Sequence, residues 1–196
     1  MRIMPDLHIR FLDASVPPSW LEELRQFRAR VLWEDGRRPE FRDAGDRFVD
    51  ADPHDLTAYH FIMRDQSDRM VGCLRLALLE RILATSQSLY IDPCTGELTM
   101  ERYGCSPGQV YELGRFVMDP AWQRKGLGGV LLRAAAALGH ETERRLIWAI
   151  AGTRDGQERV FRRCGWERVT EKPTTIPRYD DEVHLVATST RPRHQI

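Results

Sequence analysis

Lysine is almost missing from this chain of 196 residues: Lys125 and Lys172 are the two in a set of 29 Lys plus Arg. The basic side is therefore arginine, whose planar fork suits carboxylate and phosphate partners. Net charge is missing too, because 29 acidic residues balance 29 basic ones. Without a net field, broad attraction to nucleic acid or to an anionic membrane is not expected. No apolar run reaches the roughly 20 residues that span a bilayer, and Met1 to Arg10 lacks the charged head and apolar stretch of a secretion signal. The four cysteines, Cys73, Cys94, Cys105 and Cys164, form no C-x-x-C pair and have no histidine at metal-ligand spacing. Free thiols and no metal site are expected, with a Cys94–Cys105 pair across a loop as the alternative, and a reducing cytoplasm fits best.

What is present suits one domain: 196 residues, 42% of them apolar, with no internal repeat and no dividing linker. His8 to Leu12 reads as a strand. Ser19 to Glu22 has the form of a capping box, and Leu21, Leu24, Phe27, Arg28, Val31 and Leu32 then recur at helical spacing to about Trp33, before Gly36. Residues 36–55 read as a long ordered loop with room for one short helix. Ala58–Met63 and Met70–Leu79 read as a hairpin around the turn Asp65–Asp68. Residues 81–109 are an insertion: a helix is expected over Arg81–Tyr90, and Pro93, Gly96, Gly104, Pro107 and Gly108 break up the rest. Val110–Met118 is a strand and Gly126–His140 a helix. Leu146–Ala151 is a strand, Gln157–Cys164 a short helix ended at Gly165, and Trp166–Val169 and Glu182–Thr188 are the last strands. The final eight residues read as a loose tail.

The segment that carries chemistry runs from strand 110–118 through Asp119-Pro120 and Gln123-Arg124-Lys125-Gly126-Leu127-Gly128-Gly129 into the next helix. A helix N-terminus holds unpaired N–H groups and about half a positive charge. Glycines let the main chain approach a ligand closely, and Arg124 and Lys125 add charge at the rim. The combination is an anion site. It is neither the G-x-G-x-x-G of dinucleotide folds nor the G-x-x-x-x-G-K-[ST] of nucleotide hydrolases.

Gln123 to Gly128 resembles the Q/R-x-x-G-x-G/A motif of the GNAT N-acyltransferase superfamily. Phe116-Val117-Met118-Asp119-Pro120 is a loose form of that family's L-x-V-x-P strand end, and Val160 to Trp166 is similar to its L-Y-x-x-x-G-F stretch. The resemblance implies an α+β fold with a mixed, mostly antiparallel, splayed sheet of six to seven strands flanked by helices. It implies acetyl-CoA or a longer acyl-CoA as co-substrate. Gln123 to Gly129 would hold the diphosphate, Phe116, Val117 and Met118 the pantetheine arm and thioester, and Phe161 would stand where many members carry a tyrosine that protonates the leaving thiol. A narrower likeness rests on Arg28 to Trp33, Asp52 to His60, Val71 to Leu76 and Glu112 to Phe116. These stretches, in this order, resemble the branch of acyl-homoserine-lactone synthases and N-acyl amino acid synthases.

The reaction expected is acyl transfer to the amine of a small molecule or amino acid. Glu112 is the candidate general base, with Arg115 beside it; alternatively Glu112 braces the sheet by pairing with Arg75 or Arg115. Alternation puts Glu112, Gly114, Phe116 and Met118 on one strand face and Arg115 on the other, unless a bulge near Gly114 resets the phase. A main-chain N–H near Met118 is the candidate oxyanion donor. Arg28, Trp33 and Arg75 are candidate substrate contacts, and Arg28, Arg75, Asp52 and Asp55 form either the acceptor side or an internal ion network. His60 reads as a satisfied, half-buried histidine. An acyl-carrier-protein-dependent synthase is one alternative, and a non-catalytic CoA-binding module is the rival from another class. The chain is expected as a monomer or a homodimer.

Overall fold

The structure is a computed structural model that describes residues 4–36, 38–84, 93–154, 156–175 and 181–190. Its residues sort into two compact units, Met1–Arg75 with Arg115–Gly128, and Leu76–Gly114 with Gly129–Ile196. Two strands, β3 (Met70–Leu78) and β4 (Val110–Met118), pass from one unit into the other.

The first unit is organised by helix α1, Ser19–Glu34. Leu21, Leu24, Phe27 and Val31 recur along one helical face and are buried against Ile62, Met70, Cys73 and Val117. Each such side chain contributes roughly 1.5–3 kcal/mol by leaving water. The expected capping box does not form. Pro18 is the N-cap and its carbonyl accepts the N–H of Leu21, which leaves Ser19 one place inside the helix with no capping bond. The C-terminal end is as expected. Gly36 takes φ +70° and donates its N–H to Trp33. Two short 3₁₀ turns, Pro39–Phe41 and Pro53–Thr57, shape the loop that follows. Strand β1 (Asp6–Phe11) pairs antiparallel with β2 (Ala58–Arg64), which neighbours β3. The turn between β2 and β3 is tied by the Asp65 carboxylate, which accepts the N–H groups of Ser67 and Arg69.

In the second unit β4 starts parallel to β5 (Leu146–Gly152), and β5 pairs antiparallel with β8 (Glu182–Ser189). Two short strands, β6 (Glu167–Arg168) and β7 (Thr174–Thr175), also pair with β8. The described residues thus contain eight strands, where six to seven were expected; β7 carries no sequence signal. The class is the expected mixed α/β with an open, splayed sheet. The helices are α2 (Leu79–Ala84), α3 (Pro93–Tyr103), α4 (Leu127–Glu141) and α5 (Gln157–Arg163). Only the start of the helix expected at 81–90 is described, since 85–92 lie outside the described residues; the last six residues of the expected tail do as well.

Helix α3 corrects the reading of its segment. Pro93 is its first residue, where a missing N–H costs nothing. Gly96 is buried, and a Cβ there would lie 3.5 Å from the Trp148 ring, an ordinary contact distance. Glycine is therefore tolerated but not required. Gly96→Ala is expected to raise stability by about 0.5–1 kcal/mol through helix propensity. Urea unfolding checks this, and a loss of stability would mean that the helix start has no room for a methyl group.

Candidate active site

Three arginines and three aspartates of the first unit close into a ring of alternating charge. Arg28 meets Asp50 at 2.9 Å and Asp50 meets Arg115 at 2.9 Å. Arg115 meets Asp52 at 3.0 Å and Asp52 meets Arg75 at 2.8 Å. Arg75 meets Asp55 at 3.1 Å, and Asp55 returns to Arg28 at 2.6 Å. Arg25 joins from outside, through Asp55 and the Asp52 carbonyl. Asp55 has no exposed surface and Arg28 only 1%. Burial alone would raise the aspartate pKa values, but the guanidinium groups overcome it. Asp52, beside Arg75 and Arg115, is lowered to about 2, and Asp55, beside Arg28 and Arg75, is lowered as well. Arg28 and Arg75 are thus committed to carboxylates. Of the two readings left open by their sequence, the internal ion network is the one observed.

The ring acts on strand β4. The parallel register of β4 with β5 runs from Val110↔Leu146 to Leu113↔Ala149. Two residues on, Arg115 takes φ +53°, a conformation that costs a side-chain-bearing residue about 1–2 kcal/mol. The left-handed residue of β4 is therefore Arg115 rather than Gly114, within a strand that runs unbroken to Met118. Its guanidinium is held by Asp50 and Asp52, and it lies 5.6 Å from the Phe41 ring. Beyond it Val117 packs into the α1 core, while Phe116 and Met118 are half-buried. Met118 lies over Gly72 so closely that a Cβ at 72 would sit 2.5 Å from its sulfur. Gly72 belongs to one of the stretches behind the narrower likeness, and a side chain there would have to displace the flexible end of Met118.

The loop after β4 is built for exposure of its main chain. Asp119 caps a 3₁₀ turn by accepting the Ala121 N–H, and Gln123 Nε2 donates to the Met118 carbonyl. Lys125 folds back, donates to the Ala121 carbonyl at 2.7 Å and sits over the Trp122 ring at 4.6 Å. Trp122 is thus covered by Lys125. Arg124 at φ +57° and Gly126 at φ +82° are left-handed, and left-handed residues beside right-handed ones are the elements from which main-chain anion nests are built. Residues 123–126 are exposed, and a Cβ placed on Gly126 would meet nothing within 4 Å. The turn is open, and α4 begins at Leu127 immediately behind it, followed by Gly128 and Gly129.

The remaining candidates lie elsewhere. Glu112 is half-buried on β4, opposite Trp148 in register. Trp33 packs tilted against Phe48 at 5.8 Å, with the Arg42 guanidinium 4.6 Å from its ring. Phe161 has no exposed surface and packs edge-on against Trp166 at 4.8 Å, so it is a core residue in this structure and not an open cofactor contact. His60 is fully buried rather than half-buried, and its Nε2–H donates to the Asp55 carbonyl at 2.8 Å. The sequence missed Asp50 and Arg25. Their signal was the arginine and aspartate density of 25–55, which has no spacing of its own. No helix among the described residues is long and apolar enough to cross a membrane.

Comparison with known proteins gives the family and the fold. The profile described as "Acetyltransferase (GNAT) domain" matches residues 27–133. The chain therefore belongs to the GNAT acetyltransferase family, and it is an acyltransferase. No curated protein sequence matches it. Among solved structures, TofI in a ternary complex with an inhibitor and MTA is similar with 22% identity and TM-score 0.65, covering 96% of this chain and 92% of that one. The CoA-dependent acyl-homoserine lactone synthase BjaI, with SAM and isopentyl-CoA, is similar at 16% identity and TM-score 0.67, over 95% and 84%. An acyl-CoA N-acyltransferase from Pseudomonas aeruginosa is similar at 18% identity and TM-score 0.61, over 93% and 98%. At these identities the likeness concerns the fold.

Burial of His60 gives a pH prediction. Burial holds its pKa down at about 4, against an ordinary 6.5. Between those values the unfolded chain binds a proton that the fold does not, so stability falls as pH drops from about 6.5 to 4, by about 3 kcal/mol. Below that the lowered Asp52 and Asp55 continue the loss in the same direction. Urea unfolding across pH 4–8 should show this slope, with His60→Gln flattening its upper part. A wild-type profile with no slope between 6.5 and 4.5 would mean that His60 is solvated.

Proposed function

We propose that this acyltransferase moves an acyl group from acyl-CoA to the amine of a small molecule or amino acid. The observation that carries the reading is the open, left-handed turn at Gly126 ahead of α4, with space where a side chain would stand. Main-chain N–H groups of Arg124 to Gly129 would hold the diphosphate there, aided by the helix end. Arg124 supplies charge at the rim, and Gln123 fixes the turn to the end of β4. Lys125 stabilises the turn through Ala121 and Trp122. The main chain of Phe116 to Met118 would receive the pantetheine arm and thioester, and a Met118 N–H would stabilise the oxyanion.

Glu112 is the proposed base. It takes a proton from the ammonium of the acceptor so that the nitrogen lone pair attacks the thioester carbon. The C–N bond forms, the nitrogen gives its surplus proton to solvent, the C–S bond breaks, and the thiolate leaves. A thiol ionises near about 8.5, so the thiolate departs without a tyrosine at position 161. Arg115, Arg28 and Arg75 are positioning residues through their ring, and Trp33 remains the substrate-side aromatic of the proposal. The narrower reading, a synthase of N-acyl amino acids or acyl-homoserine lactones, is favoured by one observation: the stretches behind that likeness supply all the ring residues other than Asp50. An acyl-carrier-protein donor belongs to that reading.

A thiol-release assay over acyl-CoA chain lengths and a panel of amines tests the activity. CoA binding without release from any pair would leave a binding module. In the active pair, Glu112→Gln should lower kcat by about 10²–10⁴ with donor KM kept, and an unchanged rate across pH would remove it as base. Gly128→Asp places a negative charge at the helix start and should weaken CoA binding at least about tenfold while the melting temperature is kept. Unchanged binding by calorimetry would put the diphosphate elsewhere.

A further inference from the structure

Strand β1 stands at the end of its strand order: among the described residues it pairs with β2 alone. The phase of that pairing is fixed just beyond it, where Leu12 donates its N–H to the Ala58 carbonyl at 2.9 Å. By alternation Arg10, His8 and Asp6 also turn their main-chain groups to β2. The N–H and C=O groups of Leu7, Ile9 and Phe11 therefore point outward, unused by β2. Ile9 and Phe11 are also 44% and 54% exposed. An open edge with apolar side chains is a template for another strand.

The sequence of the edge selects the occupant. Asp6 and Arg10 lie two places either side of His8, with Leu7 and Ile9 between. We propose that a second copy of this chain pairs here, β1 against β1, antiparallel about a twofold axis at His8. In that register Leu7 faces Ile9 of the second copy, and both are outward residues, as a hydrogen-bonded pair requires. Asp6 then faces Arg10 of the second copy, and Arg10 faces Asp6, so opposite charges meet twice. The competing symmetric register, centred on Ile9, sets His8 against Arg10 and loses both ion pairs. Pro5, the next outward position, has no N–H and ends the ladder. The apolar side chains of Leu7, Ile9 and Phe11 gather on one face, where Phe11 already lies 4.6 Å from Tyr59. On the other face Arg10 is held over the Trp20 ring at 5.2 Å. The contact is isologous and closed. It uses no residue of the acyl-CoA loop and stands whether or not the functional reading does.

One strand pair is a small interface, so the dimer is expected to form with a Kd on the order of 10 μM. Sedimentation velocity on the full chain, from about 1 to 200 μM, reads it directly. Ile9→Pro removes an outward N–H and leaves the ladder to β2 intact, so the variant should keep its circular dichroism and sediment as a monomer. Arg10→Asp and Asp6→Arg should each weaken association at least about tenfold, because like charges then face each other. An equimolar mixture of those two variants should restore the dimer, since every aspartate again meets an arginine. A wild-type chain that stays monomeric throughout overturns the proposal. So does a dimer that none of the substitutions weakens, or a mixture that associates no better than its parts.

Discussion

The alternating ring of Arg28, Asp50, Arg115, Asp52, Arg75 and Asp55 is the interaction on which the first unit depends. A single charge buried at these positions would cost several kcal/mol, and each ring member is tolerated only because both its neighbours carry the opposite sign. Compared with apolar packing of equal volume such a network contributes little net stability. What it contributes is position. It ties α1, the loop 50–55, β3 and β4 to one another, and it holds Arg115 in a left-handed conformation that the residue would otherwise leave.

That conformation comes at a decisive place on β4. The parallel register with β5 ends at Leu113, the backbone turns at Arg115, and three residues later the strand gives way to Asp119 and the loop ahead of α4. The same strand that carries the proposed base thus leads, through a fixed turn, to the proposed diphosphate cradle. Lys125 and Gln123 spend their side chains on the loop itself, so in the proposed reading the main chain is what meets the diphosphate. Charge recognition in that proposal would rest on main-chain N–H groups more than on side chains.

Much of this was legible in the sequence because it is written in short range. Val110–Met118, the face Leu21–Leu24–Phe27–Val31, and the left-handed glycines Gly36 and Gly165 all follow from neighbours a few residues apart. The helix Pro93–Tyr103 was hidden because proline and glycine read as breakers, although Pro93 opens the first turn and Gly96 packs beside Trp148. Ser19 looked like a cap until Pro18 took that position. The ring was hidden for a different reason. Its contacts join residues 20 to 65 apart in the chain, so sequence showed the charges without their partners. For Arg28 and Arg75 that made an internal network and an acceptor contact equally readable.

The central claim is that the main chain opening α4 grips a diphosphate. Calorimetric binding of acetyl-CoA against acetyl-pantetheine, which carries the same thioester and arm but no diphosphate, measures that grip alone. The account predicts acetyl-CoA to bind tighter by at least about two orders of magnitude, with the gap shrinking as salt rises. Equal affinities for the two thioesters would contradict it.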